Sequence, residues 1–157
     1  MTKEKENIGL NLYKKMFLIR QAENNICDEY SQDEMKTPMH MSMGEEALVV
    51  GVCEGLGDNK QVFGTYRSHA LYIAITGETD QFFAELYGRS TGAVGGKGGS
   101  MHLAAPEQGL TMLSAVVVTT IPVAAGAAYA NRFLKNGKTT AVFFGDGAVD
   151  EGVFWET

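Results

Sequence analysis

The chain has 157 residues, 45% of them hydrophobic and 20% charged, with 13 Lys plus Arg against 19 Asp plus Glu and a formal net charge of −6. This is the length of one domain, read here as 1–157, and its composition lies far from the high-charge, low-hydrophobicity range of disordered chains. The acidic balance argues against a nucleic-acid partner, which draws on clustered Lys and Arg, and Cys27 and Cys53 lack disulfide-framework or zinc-ligand spacing, so a reducing cytoplasm is expected.

The opening MTKEKENIGL is charged and has no apolar h-region, so a secretory signal is not expected. From Ile8 to Tyr30, Leu12, Met16, Ile19, Ile26 and Tyr30 recur at helical spacing, which predicts an amphipathic helix. Ser31 to Met43 loses that period and concentrates Met35, Met39, Met41 and Met43 around Pro38, the pattern of a loop lying on apolar surface. Gly44 to Leu56 restarts as a helix with Glu45 and Glu46 in its first turn, where carboxylates suit the helix dipole, and Gly57-Asp58-Asn59 ends it.

Gln61 to Gly64 is β-prone, Arg67 to Thr76 is helical, and Asp80 to Tyr87 is a short helix with Phe82, Phe83 and Leu86 directed inward. Glycines at 88, 92, 95, 96, 98 and 99 form a loop whose backbone can approach a ligand or another chain. Between Glu107 and Arg132 run 24 uncharged residues, long enough for a membrane span. Pro122, Thr111, Thr119, Thr120 and an Ala/Gly-rich second half argue against one; the stretch reads instead as a buried loop followed by a buried helix, Thr120 to Leu134. Thr139 to Phe144 is a continuous apolar run of buried-strand type, and Asp150 to Thr157 starts another helix. Helices alternating with buried strands predict an α/β fold with a parallel sheet.

Gly145-Asp146-Gly147-Ala148 follows the strand at Thr139 to Phe144, the place where open α/β sheets bind ligands. A hard divalent ion takes one or two carboxylates plus phosphate oxygens, so Asp146 suits a metal bridging a diphosphate; a plain Asp-capped turn accounts for the same residues. Tyr66, Arg67 and Ser68 offer a guanidinium, a phenol and a hydroxyl to phosphate oxygens, or form a surface Arg beside a half-buried Tyr. His40 and His102 lie in methionine-flanked loops, as proton donors or as packed side chains. The phosphate-loop, dinucleotide and calcium-loop patterns all fail on spacing.

The segments LYKKMFLIRQAE (Leu12 to Glu23), MHMSMGEEA (Met39 to Ala47), TYRSH (Thr65 to His69), GKGGSMH (Gly96 to His102), IPVAAGAAYA (Ile121 to Ala130) and GDGAVDEGVFWE (Gly145 to Glu156) occur in this order. The chain thereby resembles, over essentially its whole length, the alpha subunit of the thiamine-diphosphate-dependent 2-oxo acid dehydrogenases of pyruvate, branched-chain and acetoin type. The resemblance implies a partial doubly wound sheet of the thiamine-diphosphate-binding fold, with thiamine diphosphate and Mg2+ as cofactors. It implies that Tyr66 and Arg67 hold the diphosphate, that Asp146, within Gly145, Gly147 and Ala148, is a magnesium ligand, that His40 is the active-site histidine, and that Ala115 and Val117 present backbone to the aminopyrimidine. It also implies a beta subunit in a heterotetramer, which brings the glutamate that activates the cofactor, a lipoyl acyltransferase, and a small 2-oxo acid as substrate.

Three departures accompany the resemblance. The family's metal motif continues to a paired Asn-Asn beyond Thr157, so the chain reads as the N-terminal half of such a subunit. The family's Gly-Gln-Glu-Ala is Gly44-Glu45-Glu46-Ala47 here, and Ser114 to Thr119 lacks the glycine of many relatives. Val153, Phe154 and Trp155 are then expected to face solvent unless another chain covers them, with self-association the result. A non-catalytic fragment or interaction module that keeps the alpha-subunit fold is the competing reading.

Overall fold

The apolar spacing along the first thirty residues places one stripe of a long helix on the core, and the computed structural model shows that helix as α1, Lys3–Glu29, with Ile19, Ala22 and Ile26 buried. The structure describes residues 3–35 and 37–157, with side chains from residue 7 onward; Met1, Thr2 and Lys36, which fall in the N-terminal stretch and the Ser31 to Met43 loop read above, lie outside. Tyr30, placed by its spacing on the apolar stripe, is instead exposed in a 3-10 turn, Tyr30–Gln32, that ends the helix. The methionine loop does run along apolar surface: Met35 is buried and Met39 and Met41 pack against the core.

Helix α2, Glu46–Gly55, starts later than its sequence signal. Glu46 closes its first turn by accepting the Gly44 N–H at 3.0 Å and the Arg20 Nε at 2.6 Å, which ties α2 to α1. The Arg20 hydrogen bond is the main influence holding the Glu46 carboxyl below its usual range, against the effect of burial. Strand β1, Lys60–Thr65, leads into α3, His69–Thr76, and α4, Thr79–Leu86, on which Phe82 and Leu86 are buried and Phe83 half-buried.

The stretch read as a buried loop contains a strand, β2, Leu110–Ser114, parallel to β1. Its five residues follow Gly109 at φ +98° and carry no strong alternation, so only their pairing with β1 marks them as a strand. Helix α5, Thr120–Leu134, crosses to β3, Thr139–Val142, and the sheet order is β2-β1-β3, all parallel. This is the expected α/β parallel sheet with flanking helices.

Two further expectations are corrected. The most apolar strand signal, β3, forms an edge among the described residues and is at most half-buried, whereas Val62 and Phe63 of central β1 point to opposite faces and are both buried. Burial of such side chains stabilises by about 1.5–3 kcal/mol each, so β1 carries the sheet. Helix α5 is likewise buried on one side only, at Thr120, Ile121, Ala124 and Asn131; Val123, Tyr129, Phe133 and Leu134 are exposed. Asn131 fixes its inner side, donating to Gln61 Oε1 at 2.8 Å and Thr140 Oγ1 at 3.0 Å.

After β3 the chain makes a 3-10 turn, Asp146–Asp150, and α6, Gly152–Glu156. Val153 and Phe154, expected in solvent, pack instead on Val118, Ile121 and Ala148, because the 3-10 turn swings α6 back against α5. Trp155 alone of the three stays exposed, its Nε1–H donating to the Val149 carbonyl at 2.7 Å. No helix of the described residues is long and apolar enough to cross a membrane.

Candidate functional site

Parallel strands end on the same side, so the turns after β1, β2 and β3 meet beyond the sheet's carboxyl edge. They enclose a cavity of about 490 Å³, within the size range of small-ligand sites. Tyr66 and Arg67 reach it from β1, Val117 and Val118 from the turn after β2, and Gly145, Asp146, Gly147 and Ala148 from the turn after β3. The N-terminal turn of α2 adds Glu45.

Tight packing fixes where the Tyr66–Arg67 turn begins. A Cβ on Gly64 would stand 2.6 Å from a terminal methyl of Leu71 of α3 and 2.9 Å from one of Leu113 of β2, so a larger residue there would have to displace both leucine side chains at the end of β1. The Arg67 backbone N–H then donates to Thr65 Oγ1 at 3.2 Å, and its Nη1–H to the Met41 carbonyl at 2.6 Å, reaching across to the His40 loop. Arg67 is otherwise exposed. Burial pushes the Glu45 carboxyl above its usual range, and the Arg67 guanidinium offsets part of that shift.

Gly145 and Gly147 answer to a different requirement. Neither has positive φ, and a Cβ at either position would meet nothing within 4 Å. The fold itself would accept alanine at both, so the glycines leave free backbone beside the exposed Asp146 carboxylate.

His40 does not line the cavity; its ring stands edge-on to Tyr66, centroids 4.6 Å apart. Its Nδ1 is buried without a hydrogen-bond partner, a condition shared among the described residues only by Glu23 Oε2. Val117 lines the cavity, whereas Ala115 is half-buried outside it. His102 is exposed and also outside.

The glycine-rich loop does not face the cavity either. The N–H groups of Val94, Gly96, Gly98 and Gly99 converge on the buried carboxylate of Glu85 at 2.7–3.0 Å, so the loop's anion is supplied by α4. Burial raises the Glu85 pKa, but the four N–H donors together outweigh it and hold the carboxyl below its usual range. Gly96, at φ +74°, lies so close to the backbone that a Cβ would come 2.6 Å from Gly88 and 2.7 Å from Arg89. Glu85 gave no sequence signal beyond a carboxylate on the apolar side of its helix.

Val118 was also not legible as special. It adopts φ +66°, an outlier for a β-branched residue, while 6% exposed at the cavity wall. Strain of this kind gathers at ligand sites.

These groups fit a diphosphate and a divalent ion. Arg67 supplies a forked donor, Tyr66 a hydroxyl, Asp146 an exposed carboxylate, and Gly145 and Gly147 open backbone. No cluster of three or more His, Cys, Asp or Glu among the described residues is placed to hold a metal unaided.

A model of the dehydrogenase E1 component family matches residues 14–157. The chain is 35% identical, over 99% of its length, to the alpha subunit of the acetoin:2,6-dichlorophenolindophenol oxidoreductase of Bacillus subtilis (strain 168), covering 46% of that protein. It is 33% identical over 98% of its length to the same-named subunit of Cupriavidus necator, covering 46% of it. To the pyruvate dehydrogenase E1 alpha subunit of Rhizobium meliloti (strain 1021) it is 34% identical over 94% of its length, covering 42%. The chain thus spans less than half the length of these curated relatives.

Proposed function

The chain belongs to the dehydrogenase E1 component family, and from that premise we propose that it forms the diphosphate-holding part of a thiamine-diphosphate-dependent alpha subunit. The enzyme would decarboxylate a pyruvate-like 2-oxo acid oxidatively and pass the acyl group to a lipoyl carrier. One observation carries this reading: Tyr66–Arg67 and Gly145–Asp146, far apart in sequence, line a single cavity at the carboxyl edge of a parallel sheet.

The Arg67 guanidinium would bind diphosphate oxygens bidentately and Tyr66 would donate its hydroxyl. Asp146 would give one carboxylate oxygen to Mg2+, with Gly145, Gly147 and Ala148 leaving room for the ion's remaining ligands. The backbone at Val117, and at Ala115 behind it, would contact the aminopyrimidine. When bound, thiamine diphosphate supplies the carbanion chemistry. His40 holds or moves a proton at its imidazole, with Nδ1 unengaged by the protein. Leu48, Val118 and Phe144 give the cavity an apolar wall.

A beta subunit, in a heterotetramer, is the proposed partner that completes the site, and a lipoyl acyltransferase the proposed acyl acceptor. The exposed Val123, Tyr129, Phe133 and Trp155 support burial by another chain, including self-association of the chain alone. The interaction-module reading shares that surface but leaves the cavity's donors and open glycines without a purpose.

The test is turnover by the full protein that carries this chain, assembled with its beta partner, on pyruvate, branched-chain 2-oxo acids and acetoin, with 2,6-dichlorophenolindophenol as acceptor. Thiamine-diphosphate-dependent reduction with at least one substrate is expected; none with any would defeat the reading.

A further inference from the structure

A buried polar chain lies behind the cavity. Glu23 of α1 sets Oε1 against three donors: the Ser42 backbone N–H at 2.7 Å, the Ser42 hydroxyl at 2.8 Å and His69 Nδ1 at 3.1 Å. His69 Nε2 meets Ser100 Oγ at 2.6 Å, and Ser42 Oγ accepts the Ala70 N–H at 3.1 Å. Glu23, Ser42, His69 and Ser100 are all 0% exposed.

Donor and acceptor roles follow from the groups present. Oε1 already accepts from the Ser42 N–H and hydroxyl, so the hydrogen between it and His69 is assigned to Nδ1, while Nε2, 2.6 Å from Ser100 Oγ, joins the ring to that hydroxyl. The order serine, histidine, acid matches that of hydrolytic triads. No substrate reaches Ser100, however, because its side chain is sealed in the interior. The chain is placed to hold segments and not to attack a substrate.

Of the segments it holds, the Tyr66–Arg67 turn lines the cavity and the His40 loop packs against that turn. Ser42 is two residues after His40, and His69 is two residues after Arg67, so the Glu23 carboxylate pins both. Two outer contacts join the same pair of segments: Arg67 Nη1–H to the Met41 carbonyl, and the His40 ring against Tyr66. Burying four polar side chains carries a desolvation cost that apolar packing would avoid, and what the arrangement gains is a fixed relation between the two segments.

We propose that Glu23 and His69 are positioning residues that hold the His40 loop in register with the Tyr66–Arg67 turn. This rests on the roles given above to His40 and Arg67. A displacement of about 1 Å in a catalytic group costs roughly 100-fold in rate, and a loss confined to the transition state lowers kcat while leaving KM unchanged.

The test uses the full protein assembled with its beta partner, in the variants Glu23→Leu, which deletes the acceptor, and Glu23→Gln, which keeps an oxygen for all three donors. Expected for Glu23→Leu are a kcat per folded molecule lowered roughly 10- to 100-fold with KM little changed, and faster amide exchange at residues 39–43. Glu23→Gln is expected to restore both largely. Wild-type kcat per folded molecule and unchanged exchange in Glu23→Leu would overturn the proposal, as would equal loss in both variants. Should Glu23→Leu fail to fold, Ser42→Ala removes one hydroxyl donor and is expected to lower kcat roughly 2- to 10-fold; no change in kcat or exchange would again overturn it. If the wild-type complex turns over no substrate, the functional reading fails, while the exchange at 39–43 still decides the positioning role.

Discussion

The His40 imidazole stands edge-on to the Tyr66 phenol, centroids 4.6 Å apart and ring planes at 63°, so the Met-rich loop meets the cavity-lining Tyr66 through an aromatic contact, with the histidine itself outside the cavity. Such a contact contributes about 0.5–1.5 kcal/mol. His40→Ala should therefore cost no more than about 1.5 kcal/mol in stability, while turnover by the assembled enzyme falls roughly 10²–10⁴-fold, the range of a lost acid or base. Thermal melts and steady-state rates on one preparation check this; a large drop in melting temperature with full activity per folded molecule would make His40 a packing residue.

Arg67 serves two sides, donating to the Met41 carbonyl and lining the cavity. Arg67→Ala should weaken thiamine diphosphate binding roughly 10- to 100-fold. Arg67→Lys should recover little, because a point charge does not reproduce the fork. Equal affinity in wild type and Arg67→Ala, measured by calorimetry, would remove Arg67 from the diphosphate site.

Glu85, like Glu46, contributes to the acid limb of stability, and its share is separable by substitution. Its folded pKa lies below the usual glutamate range, so the unfolded chain takes up the proton first. The group's contribution is complete above the unfolded value and is lost as pH falls through the folded one. Glu85→Gln should cost about 2–4 kcal/mol at neutral pH, since N–H donors lose their acceptors, and the gap from wild type should narrow on acidification. Denaturant melts between about pH 7 and pH 3 read this directly; a constant gap over that range would show that Glu85 does not titrate as described.

Val118 combines a buried side chain with left-handed backbone. Relief of strain, worth about 1–2 kcal/mol, opposes the loss of its packing on Ile121 and Ala148, worth about 2 kcal/mol. Val118→Gly should accordingly change stability by less than about 1 kcal/mol, far less than deletion of an ordinary core valine. A loss above about 3 kcal/mol would mean that packing alone governs this position.

Sequence spacing located α1, α4, α5 and β3 because each carries enough apolar residues to show a period or a run. It missed β2, whose five residues become a strand only by pairing with β1. It ranked β3 above β1, because apolar content does not report which strand lies in the middle of a sheet. Tyr66, Arg67 and Asp146 were legible as chemistry since their side chains are unusual at strand ends. Glu23, Ser42, His69 and Ser100 were not, although each lies in a separate segment that carries the family resemblance; their common purpose exists only where the folded chain brings them together. The glycine loop misled for the same reason, since its anion is Glu85 and not a ligand.

Calorimetric titration of the full protein, assembled with the proposed beta subunit, with thiamine diphosphate in the presence and absence of Mg2+ asks whether the cavity at the sheet's carboxyl edge is a metal-assisted diphosphate site. Saturable binding that needs Mg2+ and is weakened in both Arg67→Ala and Asp146→Ala is expected. Binding that is indifferent to Mg2+ and unchanged in both variants would contradict it, because neither the guanidinium after β1 nor the carboxylate after β3 would then touch the ligand.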